Sequence, residues 1–120
     1  MITIRDLLTI LDAKVLCGEE QLDEEVRTAC GSDLMSDVLA FVKDKSILIT
    51  GLTNVHVMRT AEMLDISCVL YVRGKKPDEL SLAMAKRNGI TVLCSNLSMF
   101  DACGLLYQAG IRGGIINNGE

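Results

Sequence analysis

The stretch Ile47-Leu-Ile-Thr-Gly-Leu-Thr-Asn54 decides the fold, because a short apolar run is followed at once by a polar loop and a helical pattern. The run is continuously apolar from Ile47 to Ile49, as is typical of a strand whose two faces are both covered. The same order of run, loop and helical segment recurs from Cys68–Val72 and again from Ile90–Cys94. These three consecutive units predict an α/β domain with a mostly parallel sheet flanked by helices.

Each unit continues into a segment with helical spacing of its apolar residues. The first helix is expected to bury a face made of Val57, Met58, Ala61 and Leu64. The second should hold Pro77 in its first turn and end at Asn88-Gly89. Ser98 is the predicted N-cap of the third helix, with Asp101 three residues further on. The apolar face of the third helix is expected to consist of Phe100, Cys103 and Tyr107.

The N-terminal forty residues are less regular than the rest. A capping-box pattern predicts a helix over Thr3–Leu11, because its first residue is followed three positions later by Asp6. Two short strands, Ala13–Leu16 and Val26–Cys30, are expected next. The acidic segment Gly18–Glu25 between them is interpreted as a solvated turn.

A further helix is predicted before the repeated units, and the chain ends in a tail rich in Gly and Asn. Ser32-Asp33 is the expected N-cap of this helix. Its apolar stripe would comprise Leu34, Val38 and Val42, widened by Leu39 and Phe41. Residues 112–120 are expected to be frayed, with an added edge strand at Ile115-Ile116 as the alternative. We therefore expect a single domain over residues 1–120, built of the irregular N-terminal part and the three units.

Composition narrows the classes of function. Hydrophobic residues make up 49% of the 120, enough for one core, and no apolar run approaches the roughly 20 residues of a membrane-spanning helix. The N-terminus lacks a secretory signal pattern, so a cytoplasmic protein is expected. A net charge of −4 argues against a broad surface for nucleic acid or for an anionic membrane.

The cysteines are odd in number and none lies in a C-x-x-C pair. They are Cys17, Cys30, Cys68, Cys94 and Cys103. Reduced, buried thiols are the simplest interpretation, since free cysteine is often buried. A metal or iron–sulfur site is the alternative, although the chain has one histidine and no local cysteine spacing for it.

Polar loops follow the three predicted core strands, and in an open parallel sheet such loops meet at one edge, where ligands bind. We call this edge the rim; it comprises Gly51–Asn54, Arg73–Lys76 and the loop beginning at Ser95. Arg73-Gly-Lys-Lys76 is the only cluster of positive charge in the sequence, and suits an anionic ligand or an acidic partner. A solvated turn with Gly74 at positive φ is the equally simple alternative.

The candidate ligand-binding residues therefore all lie on or beside the rim. They are Gly51, Thr53, Asn54, His56, Arg73, Gly74, Lys75, Ser95 and Ser98. Backbone N–H groups and the helix dipole after Gly51 suit a phosphate or a carboxylate, although a tight turn at Gly51 with Thr53 or Asn54 as a helix cap is the simpler interpretation.

No complete catalytic site is visible in the sequence. His56 is more simply a partly exposed helix residue than a general base, because no motif pairs it with a nucleophile. Asp33 and Asp37 have a spacing that can hold a cation, but a solvated acidic face explains them as well. Neither a Walker-type loop nor a dinucleotide fingerprint occurs. We expect neither enzymatic activity nor a resident metal or cofactor.

The chain resembles the DRTGG domain family, which is similar to the N-terminal domain of HPr kinase/phosphorylase. The resemblance is carried by Ile47–Gly51, Thr60-Ala61, Leu64–Ile66, Val72–Gly74 with Pro77, Ala83–Ile90 and Ser95–Phe100. The namesake residues differ: Thr53-Asn54 replaces Asp-Arg, and Val72-Arg73-Gly74 replaces Thr-Gly-Gly. A ligand known for other members is therefore not transferred to this chain.

Four blocks look like a stand-alone subgroup from anaerobic bacteria, often encoded near iron-only hydrogenase genes. These blocks are Cys30–Leu39, Gly51–Asn54, Val72–Lys75 and Ala102–Gly104. The family resemblance implies a regulatory or ligand-sensing domain, often dimeric, without established catalysis. Other members are fused to CBS-pair or phosphotransacetylase domains.

Three hypotheses follow. The first is a non-catalytic, dimeric sensor that binds a small anionic ligand, such as a nucleotide, at the rim. The second is a protein-interaction module that contacts an enzyme of hydrogenase maturation or electron transfer. The third places Cys30 and Cys103 in a redox or metal site.

Overall fold

The computed structural model describes residues 1–41 and 46–113, and the elements below belong to those ranges. The strands are β1 (Ile2–Thr3), β2 (Lys14–Cys17), β3 (Glu25–Val26), β4 (Thr28–Gly31), β5 (Ser46–Thr50), β6 (Cys68–Tyr71) and β7 (Thr91–Cys94). The helices are α1 (Ile4–Ile10), α2 (Met35–Phe41), α3 (Val55–Met63), α4 (Glu79–Asn88) and α5 (Met99–Gln108), with a 3₁₀ turn at Glu19–Gln21.

A five-stranded sheet in the order β2-β7-β6-β5-β4 forms the centre of the molecule. Strands β4 to β7 are parallel to one another, and β2 joins β7 antiparallel at one edge. A separate pair of short strands, β1 and β3, is antiparallel. The predicted α/β class, with a mostly parallel sheet flanked by helices, is therefore confirmed.

The helices cover both faces of the sheet. Because right-handed crossovers are nearly universal and β4 to β7 are added in one direction, the helices between them should share a face. The core agrees: Val38 of α2, Met58 of α3 and Met84 of α4 pack in one cluster with Leu48. Helices α1 and α5 pack on the other face, against Ile47 and its neighbours. All residues of β5 and β6 are buried as a result.

Three of the caps predicted from the sequence, at Thr3, Gly89 and Ser98, form where expected. Thr3 and Asp6 make both hydrogen bonds of the capping box at the start of α1. Ser98 accepts a hydrogen bond from the Asp101 amide at 3.1 Å, and Gly89 ends α4 in the left-handed conformation. Pro77 lies before α4 and not in its first turn. The N-cap is Asp78, whose side chain accepts a hydrogen bond from the Ser81 amide.

Two predicted apolar faces are wrong. In α5, Phe100 is 85% exposed and Tyr107 is 61% exposed, whereas Ala102 and Leu106 are buried. The helix packs on the sheet through the small side chain of Ala102, which the sequence analysis did not assign to the apolar face. Cys103 is half-buried at the border of this face.

In α2, Val38 is buried but Leu34 and Leu39 are largely exposed. This short helix lies over the edge of the sheet and packs chiefly on α3, so that only one side is covered. The side chain of Phe41 and the predicted Val42 lie outside the described residues.

The segment predicted as one strand over Val26–Cys30 is split. Val26 pairs with β1 in the small sheet, whereas Thr28–Gly31 joins β5 in the main sheet. Next to this edge strand, the Ala29 amide donates to the carbonyl of Arg112, which starts a further parallel contact. The edge strand predicted at Ile115-Ile116 lies outside the described residues.

None of the helices in the described ranges combines the length and the apolar composition needed to cross a membrane.

Candidate ligand-binding site

The three loops of the rim are joined by specific contacts. The Arg73 amide donates to the Leu97 carbonyl at 2.8 Å, and the Gly74 amide donates to the Ser95 carbonyl at 2.9 Å. The Arg73 guanidinium lies against Gly51, since an ideal Cβ at Gly51 would be 3.1 Å from Arg73 Cζ. The loops after β5, β6 and β7 therefore form one continuous surface, as the parallel sheet predicts.

A tight turn presents the basic loop. Arg73 and Gly74 both have positive φ, 58° and 69°, and the Lys75 amide closes the turn on the Val72 carbonyl at 3.0 Å. The positive φ predicted for Gly74 is present, but the same conformation at Arg73 was not anticipated. For a non-glycine residue it costs about 1–2 kcal/mol, so the two inter-loop hydrogen bonds must offset local strain.

A pocket of about 170 Å³ opens on the side of this turn that faces β7 and β2. It is lined by Asp12, Lys14, Leu16, Gly74, Lys76, Cys94, Ser95 and Asn96. Two ammonium groups and a side-chain amide thus surround one small space, together with one carboxylate. An anion with hydrogen-bond acceptors on several sides matches this lining.

Sequence reasoning missed Lys14 and Asp12 as site residues. Both precede or begin β2, which reaches the rim only because it pairs antiparallel with β7, with Lys14 opposite Cys94. A pairing between residues eighty positions apart leaves no local signal in the sequence. Lys76 and Asn96 did lie in the predicted loops, although neither was among the residues selected there.

Three of the selected residues use their side chains to hold the loops. The side-chain oxygen of Asn54, Oδ1, accepts a hydrogen bond from the His56 amide at 3.0 Å, and Ser98 caps α5 as described above. Ser95 is buried; its hydroxyl donates to the Leu11 carbonyl at 2.7 Å and accepts from the Leu97 amide at 3.2 Å. These side chains shape the rim from inside. Thr53 is half-buried beside them.

Arg73, Lys75 and His56 are exposed on the same edge. Within residues 1–41 and 46–113, Arg73 has no carboxylate within ion-pair distance. Its positive charge is therefore accessible to a ligand.

Asp33 takes a role that its spacing did not suggest. Its Oδ1 accepts hydrogen bonds from the Gly51 amide at 2.8 Å and the Thr50 hydroxyl at 3.0 Å. The predicted N-cap at Ser32-Asp33 therefore does not form through Asp33, and only Ser32 accepts the Leu34 amide. The interpretation of Asp33 and Asp37 as one acidic helix face is also wrong, because Asp33 precedes α2. The Asp33 carboxylate instead accepts hydrogen bonds at the carboxyl end of β5.

The cysteine hypothesis receives little support from the geometry. Cys30 packs with the cluster under α2 to α4, whereas Cys103 packs with the cluster on the opposite face. All five cysteines are free thiols. Burial raises the pKa of the Cys30 and Cys103 thiols, which reduces the fraction of reactive thiolate. Among the described residues, no three His, Cys, Asp or Glu side chains are grouped as metal ligands.

One buried hydroxyl near the rim provides a stability prediction. Tyr71 ends β6 and is fully buried, and within residues 1–41 and 46–113 its hydroxyl has no hydrogen-bond partner. Burial also raises the pKa of this phenol. Tyr71→Phe should therefore stabilise the domain by about 1 kcal/mol, because it removes an unsatisfied polar atom. Urea unfolding followed by circular dichroism measures this, with Tyr107→Phe on the exposed face of α5 as the control. A loss of stability at Tyr71 would contradict the assignment.

Comparison with known proteins identifies the family. The sequence matches the family model of the DRTGG domain over residues 6–109. No curated protein matches it. Among solved structures, the chain is similar to the CBS and DRTGG domains of the regulatory region of Clostridium perfringens pyrophosphatase, crystallised with its activator, diadenosine tetraphosphate. The TM-score is 0.71 at 21% identity, covering 89% of this chain and 46% of that one.

The structural likeness concerns the fold, and this chain spans less than half of the matched chain. The family model, in contrast, covers all five strands of the main sheet, which lie between Lys14 and Cys94. It agrees with the resemblance seen in the core strands and the loops between them. The chain belongs to the DRTGG domain family.

Proposed function

We propose that this protein is a non-catalytic regulatory domain that binds a small anionic ligand at the rim, with nucleotides as the first class to test. The observation that carries the proposal is the pocket that Lys14 and Lys76 both line, together with Gly74 and Asn96. Two ammonium groups at one concave site offer both charge and hydrogen-bond donors to a phosphate. Of five pockets compared within residues 1–41 and 46–113, this one alone is lined by two lysines.

The charge distribution supports this choice. The chain as a whole has a net charge of −4, so it does not attract anions generally. Positive charge is instead concentrated at the rim, where Lys14, Arg73, Lys75 and Lys76 are all exposed. Because these groups face water, binding should weaken as salt is added. Selectivity would then come from the shape of the pocket and its amide groups.

The size of the pocket limits what it can enclose. Sites for whole drug-sized ligands usually measure about 300–1,000 Å³. At about 170 Å³ the pocket suits a single phosphate-sized group, with the remainder of the ligand lying across the rim. A nucleotide fits this description, since its phosphates and its base are separable parts. The diadenosine tetraphosphate bound in the matched regulatory region makes nucleotides the natural first probes.

Nothing in the described residues assembles a catalytic constellation at the rim. His56 is exposed, and its side chain has no hydrogen bond to a serine or cysteine in residues 1–41 and 46–113. The half-buried cysteines lie by the edge strand β4, whereas the pocket lies at the opposite edge. The sensor hypothesis is thus favoured over the redox hypothesis.

Replacing Lys76 should abolish ligand stabilisation without unfolding the domain. The test is a thermal-shift screen of AMP, ADP, ATP, diadenosine tetraphosphate and pyrophosphate at low salt, followed by calorimetry on any compound that raises the melting temperature. For such a compound, Lys76→Ala should weaken binding at least tenfold, because one of the two ammonium groups of the pocket is lost.

Lys86→Ala is the matched control. Lys86 is equally exposed and carries the same charge, but it lies in the last turn of α4, outside the pocket. It should leave the affinity within about twofold. The proposed function fails if none of these compounds binds, and the proposed location fails if both lysine variants lose affinity equally.

A further inference from the structure

A carboxylate of the chain itself already occupies hydrogen-bond donors at the carboxyl end of β5. The Gly51 amide and the Thr50 hydroxyl both point to Asp33 Oδ1, at 2.8 and 3.0 Å. Thr50 is fully buried and also accepts the Leu52 amide, so its hydroxyl is fixed in direction. This pair of donors is therefore built to hold one anionic oxygen.

A positive charge lies beside the same donors, and no carboxylate in the part of the chain that the structure describes forms an ion pair with it. Nη2 of Arg73 occupies the space that a side chain at Gly51 would need, so the guanidinium lies directly against this glycine. Nevertheless, Arg73 and Asp33 do not form an ion pair within 4.0 Å. The absence of a side chain at Gly51 makes this close approach possible. The guanidinium and the carboxylate thus share Gly51 as a neighbour while remaining separate.

Few contacts hold the Asp33 side chain in place. The residue is exposed, and one of its carboxylate oxygens makes the two hydrogen bonds described. The helix that follows it, α2, has one fully buried apolar residue among its described side chains, Val38. Few contacts would have to break for the carboxylate to leave the donors.

We propose that Thr50, Gly51 and Arg73 form a second anion-binding site at the rim, and that Asp33 fills it as an internal substitute for the ligand. An anionic group of the ligand, such as a phosphate, displaces the carboxylate, takes the two donors and pairs with Arg73. Binding is thereby coupled to release of the segment that leads into α2. This inference rests on the proposed function, because it concerns a second anionic group of the same rim ligand.

Removing the charge of Asp33 is the direct test. In calorimetric titrations with pyrophosphate and with ATP at low salt, Asp33→Asn should bind at least tenfold more tightly than the unmodified protein. The neutral amide competes less well for the donors and no longer repels the anion. Asp37→Asn is the matched control, since it removes the same charge from an exposed position on α2. It should change the affinity by less than twofold.

Two further measurements locate the effect. The Gly51 amide resonance should shift on addition of pyrophosphate, because its hydrogen-bond acceptor changes. Adding Arg73→Ala to Asp33→Asn should remove the gain in affinity. Asp33→Ser serves as the second variant if Asp33→Asn is unstable, which its melting temperature shows.

The possible failures are distinguishable. Equal affinity in Asp33→Asn and in the unmodified protein would overturn the internal substitute and leave the proposed function standing. Weaker binding in Asp33→Asn would also overturn it, because Asp33 would then contact the ligand directly. If neither protein binds any of the anions, both the substitute and the proposed function are wrong.

Discussion

Leu70→Ala is expected to destabilise the domain by about 3 kcal/mol, within the range of about 2–5 kcal/mol for such truncations in a core. Leu70 lies in β6, the middle strand of the sheet, and is fully buried. Its paired neighbours Ile49 and Leu93 are also fully buried, so the packing cannot easily close over the missing atoms. A domain of this size is stable by about 5–15 kcal/mol, so the loss is a large share of the total.

Urea unfolding monitored by circular dichroism measures this change, provided that the slope of the transition is the same for both proteins. The matched control is Leu80→Ala, because Leu80 is 57% exposed on α4. It should alter the free energy of unfolding by about 0.5 kcal/mol or less. Similar losses of unfolding free energy at both positions would contradict the burial of both faces of β6.

Gly18→Ala is expected to destabilise the domain by about 3 kcal/mol, because a backbone penalty and a steric clash act together. Gly18 has φ of 89°, in the region that L-residues rarely adopt. An added Cβ would lie 2.6 Å from the Cα of Thr91, a backbone atom that cannot rotate away. The Thr91 hydroxyl also donates to the Gly18 carbonyl at 3.1 Å, and this contact between β7 and the turn that follows β2 would be disturbed.

Gly104→Ala is the control, and it is expected to change stability in the opposite direction. Gly104 lies within α5, and an added Cβ would have no heavy atom within 4 Å. Alanine should therefore stabilise the domain by about 0.5–1 kcal/mol through helix propensity alone. Melting temperatures of the two variants should shift in opposite directions. A tolerated alanine at Gly18 would mean that the left-handed turn before the 3₁₀ segment is not formed.

The fold was largely predictable because its signals are local. Each unit from β5 to α5 carries a continuous apolar strand, and the cap at Ser98 lies within three residues of its partner. Where the prediction erred, local spacing was ambiguous. In α5 the residues Phe100, Cys103 and Tyr107 have a valid helical spacing, yet Leu106 faces the core. Spacing shows that a face exists, whereas packing decides which one is buried.

The candidate site was predictable in outline only. That the loops after β5, β6 and β7 meet follows from parallel strands alone, and the basic character of Arg73–Lys76 is visible in the sequence. Lys14 could not be found in the same way, because it reaches the pocket through the antiparallel edge strand. Asp33 was assigned to a helix face, since no local pattern indicates a hydrogen bond to Gly51, eighteen residues further on.

The sequence by itself thus determined the α/β class, the caps at Thr3, Gly89 and Ser98 and the positively charged loop, because each depends on residues that are neighbours in the chain. Tertiary structure decided that Lys14 joins Lys76 in one pocket and that Asp33 occupies the donors at Gly51. Both arrangements bring together residues that are distant in sequence. Their energies depend on how strands pair and how loops pack, which no short segment encodes.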